Sequence, residues 1–548
     1  MRLTMRRTLG TVALSAVLSV ALVYCFWCGL ELYAVFRGPI PPPHPHRNHD
    51  IDSRFPLIHA YLVHGTGDEG GRWYIPPSWI DAVNATETPL PEGVSLTPTT
   101  VLDAAYLVVW LCSTQGRMLR NTNIPRVVHQ SWRDADVGGW PRGLLPFVEE
   151  WLEVATGTSP LQHSPSRHHE FQFEERSGPH SGHPHGPRYP PPPLPPLHPS
   201  PSTALLSHAY FLWTDTGMSS LLHAIATSTH TPHASIPGVG PTYRHLPRPV
   251  ERADFWRVQV LRWIGGVYAD TDARPLREPA GWVQGADLRA WRDAGGRVFD
   301  SPQIVGPYGP PEGVDRLYGG LFEGTRGVEE GEGEGDGEAR VNIILGIEAD
   351  DEESWRMGYH YPVQLTQWTL ASAPHHPILE GYTERLCLAV HEALTNVSEG
   401  VDGRESVLSA LDPVDLTGPV AVTAATRAYL DDALKAAGST FDTAFTSRLP
   451  PRSSTSNSKS RSPPPASGAV SKPLLDTLIL PITAFSPGRS TYWHNMGSKP
   501  VTHPDARVQH MAQGTWRKGR VGWGHWGVEV GKACRTVLGM CRDWRKID

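Results

Sequence analysis

Residues 251–276 read ERADFWRVQVLRWIGGVYADTDARPL, and the fold class turns on this stretch. Its first part places Ala253, Trp256, Val260 and Trp263 at helical intervals and then meets Gly265-Gly266, a helix stop. Val267-Tyr268-Ala269 can then begin a short apolar strand that delivers Asp270 and Asp272 at its end. On the helix Asp254 and Arg257 stand three apart, so a carboxylate and a guanidinium share one face. Two carboxylates beyond a strand suit a hard divalent cation, whose shell substrate phosphates can complete. In locally extended backbone Asp270 and Asp272 point to the same side, because side chains alternate with period two. Spacing alone does not decide: Asp50 with Asp52 and Asp134 with Asp136 repeat it without the helix and the glycine break. The plain alternative for Asp254 and Arg257 is a surface ion pair of little energetic weight.

Working outward, residues 124–130, IPRVVHQ, and 209–213, AYFLW, read as buried strands. Strands alternating with longer helical patterns imply an α/β sheet with ligand sites near strand ends. Three inserts interrupt this pattern: a His-, Pro- and Ser-rich stretch at 156–203, an acidic Gly-rich stretch at 323–340, and a basic Ser/Pro-rich stretch at 449–472. Their composition reads as disordered linker, and the histidines of the first lack fixed ligand spacing.

The chain has 548 residues and a formal charge of −7, which argues against a nucleic-acid binder. Residues 9–30, LGTVALSAVLSVALVYCFWCGL, carry no charge and would form roughly 33 Å of helix at ~1.5 Å per residue, enough for a bilayer core of about 30 Å. Arg2, Arg6 and Arg7 precede this run, so the positive-inside rule puts the N-terminus in the cytosol and the rest in a lumen or outside. Tyr24, Phe26 and Trp27 stand where a cleavage site would need small residues, which favours an uncleaved signal anchor over a signal peptide. The expected organisation is a cytosolic tail at 1–8, a transmembrane helix at 9–36, a stem at 37–100 and a luminal domain at 101–548. Cys25 and Cys28 fall in the span, and Cys112, Cys387, Cys534 and Cys541 beyond it, where one or two disulfides are plausible. The sequons at Asn84 and Asn396 fit luminal exposure.

The segments IPRVVHQSW, AYFLWTDT, ERADFWRVQVLRWIGGVYADTDARPL, IILGIEADDEESW, QLTQWTLASAPHHPIL, LTGPVAVTAAT and VQHMAQGTW occur in this order. Together they resemble glycosyltransferase family 32, and the later blocks most resemble its fungal branch of initiation-specific α-1,6-mannosyltransferases. The resemblance implies a GT-A-type, Rossmann-like nucleotide-sugar-binding domain with Mn²⁺ under the donor diphosphate of GDP-mannose. Carried over by position, Asp270 and Asp272 match the Asp-x-Asp metal motif and His510 is a candidate third ligand. Asp254 matches a donor-sugar contact and Arg257 a donor-phosphate contact. His129, Gln130 and Trp132 fall near the nucleoside, Asp215 on the donor side, and Thr515 with Trp516 close over the diphosphate. Glu348 and Asp350 are placed at the acceptor. Each has an ordinary alternative: core aromatics for the tryptophans, a structural role for His510, a turn or helix cap for Asp215, and solvated loop acids for Glu348 and Asp350.

The implied reaction is retaining transfer of mannose to the mannose of an N-glycan core, in α-1,6 linkage, by a type II Golgi membrane protein. The partners this implies are a nucleotide-sugar donor, an N-glycan acceptor, the membrane and a Golgi glycosyltransferase complex. Retaining hydrolases use a carboxylate nucleophile; no convincing one is visible here, which favours front-face attack. The competing readings are a family relative that mannosylates inositol phosphoceramide, and a catalytically silent lectin-like or scaffold protein.

Overall fold

The computed structural model describes residues 48–86, 89–91, 93–158, 207–228, 238–300, 308, 341–354, 358–395, 408, 411–447, 471–488 and 496–511. In chain order the strands are β1 (Gly67–Asp68), β2 (Gly71–Tyr74), β3 (Val127–Ser131), β4 (Ala209–Trp213), β5 (Gly266–Ala269), β6 (Ala273–Pro275), β7 (Trp291–Arg292) and β8 (Val298–Phe299). They continue with β9 (Ile343–Asp350), β10 (Val363–Leu365), β11 (Thr369–Ser372), β12 (Lys472–Leu474), β13 (Thr477–Leu480) and β14 (Val508–His510). The main sheet has the order β1-β2-β4-β3-β5-β11-β9-β13-β12, with β10 paired to β9. Strands β4, β3, β5, β9 and β13 run in one direction, and β11 lies antiparallel between β5 and β9. A mixed α/β architecture with these central strands largely codirectional fits the GT-A type.

Helices cover both faces, so the central strands are apolar on both sides rather than alternating. On one face Trp256, Trp263, Tyr268 and Ile343 pack with the helices Val101–Gln115, Pro249–Trp263 and Pro377–Thr395. On the other, Val128, Val267, Ile344 and Phe485 pack with Trp151 of the helix Leu145–Thr156. Burying each aromatic side chain contributes about 1.5–3 kcal/mol.

The chain runs from β3 to β4 on one side and then crosses to β5 on the other. This reversal opens a crevice at the carboxyl ends of β3 and β5, the place where open α/β sheets bind ligands.

Residues 48–86, expected as part of a stem, are folded onto the domain: β2 pairs antiparallel with β4, and Trp79 is fully buried. The Pro-rich composition around residue 41 misled because it does not extend to this segment. Glu149 fastens it, accepting the Leu57 and Ile58 backbone N–H groups at 2.8 Å each. Glu149→Ala would orphan both donors and is expected to cost about 1–3 kcal/mol, with faster amide exchange over 51–63 as the direct readout.

The insert limits also shift, since Thr156 closes a helix capped by Gly157 and Lys472 opens β12; residues 159–203, 323–340 and 449–470 lie outside the described residues. So do the span at 9–36 and the sequon at Asn396, whereas Asn84 is exposed. Among the described residues no helix is long and apolar enough to cross a membrane. Cys112 and Cys387 are both buried free thiols, so neither joins a disulfide.

Candidate donor and metal site

The helix Pro249–Trp263 begins with Pro249 at its first position and with Glu251 accepting the Arg248 backbone N–H at 2.9 Å. It ends at Ile264, after which Gly265 (φ 75°) and Gly266 (φ 102°) turn the chain into β5. A Cβ on Gly266 would stand 2.7 Å from the Val127 carbonyl oxygen, so glycine also permits the approach of β5 to β3. The helix–glycine–strand reading of residues 251–276 is therefore what the structure contains.

Beyond β5 the acids converge. Arg257 Nη2 lies 3.1 Å from Asp254 Oδ1 and 3.0 Å from Asp270 Oδ1. The guanidinium also sits 5.1 Å from the Tyr268 ring centroid, and the Tyr268 hydroxyl donates to Asp270 Oδ1 at 2.9 Å. Asp254 and Arg257 are each only 7% exposed, so this is not the surface ion pair the sequence allows. Burial raises the Asp254 carboxyl to about 6, with Arg257 offsetting part of the rise. Burial likewise raises Asp270 against the pull of Arg257.

His510 arrives from far along the chain. Strand β14 pairs antiparallel with β6, placing His510 opposite Ala273, and the Met511 backbone N–H donates to the Asp272 carbonyl at 3.0 Å. His510 Nε2 then lies 3.2 Å from Asp272 Oδ1. Single donor atoms of Asp270, Asp272 and His510 fall within 4.8 Å of one another. Two carboxylates and an imidazole at that separation fit a divalent first-row cation with positions left for substrate oxygens. Burial opposes protonation of His510, but Asp272, with Asp270 and Glu348 adding, outweighs it and raises its affinity for a proton.

Other expected residues have different places. His129 is fully buried: the Trp213 indole N–H donates to Nδ1 at 3.1 Å, so Nε2–H donates to the Gly265 carbonyl at 3.0 Å. Burial pushes its imidazole down to about 3. It pins the glycine turn and does not meet a nucleoside. Gln130 is also buried, accepting from Tyr210 and donating to the Asp270 carbonyl at 3.2 Å, so it supports the Asp-x-Asp motif from behind. Asp350, 1% exposed, accepts from Thr446 Oγ1 at 2.7 Å, from Ser447 N at 2.8 Å and from the Ser447 hydroxyl, which makes it an internal clamp and not an acceptor contact. All three sit where a sheet covered on both faces buries nearly every side chain.

Asp215 is exposed and opens the helix Asp215–Ser228 at the carboxyl end of β4. Trp132 follows β3, half-buried against Trp140 at 5.4 Å between ring centroids, and its indole N–H has no partner among the described residues. Glu348 is half-buried on β9, with Gln364 Nε2 at 3.5 Å. Thr515 and Trp516 lie outside the described residues.

Sequence reasoning missed the groups that hold Asp254. Thr417 Oγ1 donates to Asp254 Oδ2 at 3.1 Å, and Gln367 Nε2 donates to the Asp254 carbonyl at 3.2 Å and to the Thr417 carbonyl at 2.6 Å. Tyr382 donates to the Thr417 carbonyl at 2.7 Å. The available signal was the polar run Gln364, Thr366, Gln367 and Thr369 inside an otherwise apolar segment, since buried polar groups require partners.

Residues 200–288 match the family model described as a glycosyltransferase sugar-binding region containing a DXD motif. The chain carries a DXD-type glycosyltransferase region. Asp270 and Asp272 lie within the matched span, as do Asp254 and Arg257. The chain is 29% identical over 285 residues to the initiation-specific alpha-1,6-mannosyltransferase of Schizosaccharomyces pombe, covering 52% of this chain and 51% of that protein. It is 24% identical over 296 residues to the protein of the same name from Candida albicans, covering 52% and 58% respectively. A further match, to the Saccharomyces cerevisiae protein of that name, is 25% identical over 177 residues, covering 31% of this chain and 32% of that protein. The chain thus spans about half the length of the first two of these relatives. The resemblance to family 32 and its fungal mannosyltransferase branch is borne out.

Proposed function

We propose that this protein is a metal-dependent, retaining mannosyltransferase that moves mannose from GDP-mannose to a core mannose of an N-glycan in α-1,6 linkage. We place it in the Golgi as a type II membrane protein. The observation that carries the reading is the convergence of Asp270, Asp272 and His510 beside the Arg257 guanidinium at the sheet's reversal point. The relatives' names supply the sugar and the linkage.

Asp270, Asp272 and His510 would hold Mn²⁺, which when bound neutralises charge on the donor diphosphate. Arg257 is fixed by two carboxylates, and its Nε–H is buried without a partner among the described residues; a fixed, desolvated cation stabilises charge that develops as a leaving group departs. Asp254 holds that guanidinium, and each of its oxygens retains a lone pair for a sugar hydroxyl. An open cleft of about 980 Å³, walled mainly by the 48–72 segment and by Arg133, Asp134, Thr214 and Thr216 after β3 and β4, is the space we assign to the nucleoside. The acceptor oxygen attacks the anomeric carbon on the face from which the diphosphate leaves. Its proton passes to the departing phosphate oxygen.

The test is incubation of the detergent-solubilised full chain with Mn²⁺ and a panel of GDP- and UDP-sugars, using Man8 and Man9 acceptors. The expected product is one hexose heavier, formed from GDP-mannose alone, cut by α-1,6-mannosidase and absent with EDTA. Transfer from a UDP-sugar, or no transfer from any donor, overturns the reading.

A further inference from the structure

Trp368 immediately precedes β11 and is 6% exposed. Its indole lies flat on the His510 imidazole, with centroids 4.6 Å apart and planes 9° from parallel. Its backbone carbonyl accepts the Asp270 N–H at 2.9 Å. One residue therefore touches both sides of the carboxylate–imidazole set, by its backbone at Asp270 and by its ring at His510.

The indole is itself backed. Phe485 packs 6.2 Å behind it and meets Trp282 edge-on at 5.1 Å. Phe485 has room because Gly346 on β9 lacks a side chain: a Cβ there would fall 2.4 Å from Phe485 Cδ2. The pairing of β14 with β6 fixes the His510 backbone, but the imidazole's own torsion is broad and roughly two-fold. A ligating histidine is normally oriented by a hydrogen bond to its second nitrogen. Here an aromatic face restrains the ring plane.

We propose that Trp368 is a positioning residue that sets the plane of the His510 imidazole toward Asp272 and thereby sets the affinity of the site for a divalent cation. The inference rests on the reading of Asp270, Asp272 and His510 as metal ligands. Side-chain substitution at 368 leaves the carbonyl bond to Asp270 available, so it isolates the ring.

The experiment titrates the full chain with Mn²⁺ alone, following free Mn²⁺ by electron paramagnetic resonance and the melting temperature in parallel. Trp368→Leu is expected to weaken Mn²⁺ binding about 10- to 100-fold, and Trp368→Phe, which keeps a stacking face, to recover most of it. Should Trp368→Leu not fold, Trp368→Phe and Trp368→His carry the test, and their Mn²⁺ affinities should both lie nearer wild type than the affinity of His510→Ala. Folded Trp368→Leu with wild-type Mn²⁺ affinity overturns the proposal. So do equal losses in the Phe and Leu variants that merely follow their melting temperatures. Wild-type protein that binds no Mn²⁺ overturns the metal reading and this inference with it.

Discussion

Asp270→Asn is expected to lower kcat/KM for sugar transfer by at least about 10²–10³-fold while leaving the fold intact. The substitution is nearly isosteric, and the amide oxygen can still accept the Tyr268 hydroxyl that now reaches Asp270 Oδ1. What it removes is charge. Arg257 loses one of its two carboxylate partners, and the cluster with Asp272 and His510 loses one of its two anions. Asp254 responds as well, because the Asp270 charge is one of the causes holding its carboxyl up near 6; without that charge Asp254 should ionise at lower pH. Three measurements separate these effects: Mn²⁺ affinity, GDP affinity in the presence of Mn²⁺, and the acid limb of the rate profile. Asp50→Asn is the matched control, since Asp50 lies in another of the Asp-x-Asp spacings and its carboxylate pairs with the exposed Arg142 and Arg54. Full activity in Asp270→Asn would remove the metal site from the mechanism.

The largest stability effect is expected at the opposite edge of the sheet. Asp476 is fully buried just before β13 and accepts from Tyr308 at 2.6 Å, Tyr429 at 2.9 Å and Asn342 at 2.9 Å, with His376 Nε2 at 3.4 Å. Its backbone carbonyl also accepts the Asn342 N–H that leads into β9. Asp476→Ala strands several buried donors at once and should cost about 3–5 kcal/mol, read as a fall in the denaturant midpoint. The pH dependence has a definite sign. Burial alone would raise the Asp476 carboxyl, but the His376 imidazole 3.4 Å away and the bonds from Tyr308 and Asn342 outweigh it and hold it well below its ordinary value of 3.8. A carboxyl depressed on folding contributes its full stability above the unfolded value and loses it as pH falls through the folded one. The gap between wild type and Asp476→Ala should therefore be constant from neutral pH down to about 4, then close in stronger acid. A gap that widens in acid would contradict the network. Because this cluster sits at the amino end of β13, the folded fraction of the variant should retain its Mn²⁺ affinity.

Local sequence carried a great deal of the site. Helical spacing of Trp256, Val260 and Trp263, the Gly265-Gly266 break and the short run Val267-Tyr268-Ala269 are interactions within one helix and one turn. Their physics is complete within a few residues, so the sequence determined them. It also placed Asp254 beside Arg257, and Asp270 two residues from Asp272.

Tertiary structure decided which polar residues face the crevice. His129, Gln130 and Asp350 stand in strands whose two faces are both covered, and such strands give no alternation from which to tell an inward side chain from a ligand contact. Their hydrogen bonds close only when β4, the Gly265 turn and the Thr446–Ser447 segment come together. Thr417, Gln367 and Trp368 escaped for the same reason: each acts on Asp254, Asp270 or His510 across a long separation in the chain. In one case a long-range partner was anticipated by resemblance, His510, and what brings it to Asp272 is the antiparallel register of β14 on β6. The sequence by itself determined the helix, the turn and the acids they present; only the closed sheet determined what holds those acids in place, because hydrogen bonds between distant segments have no local signature.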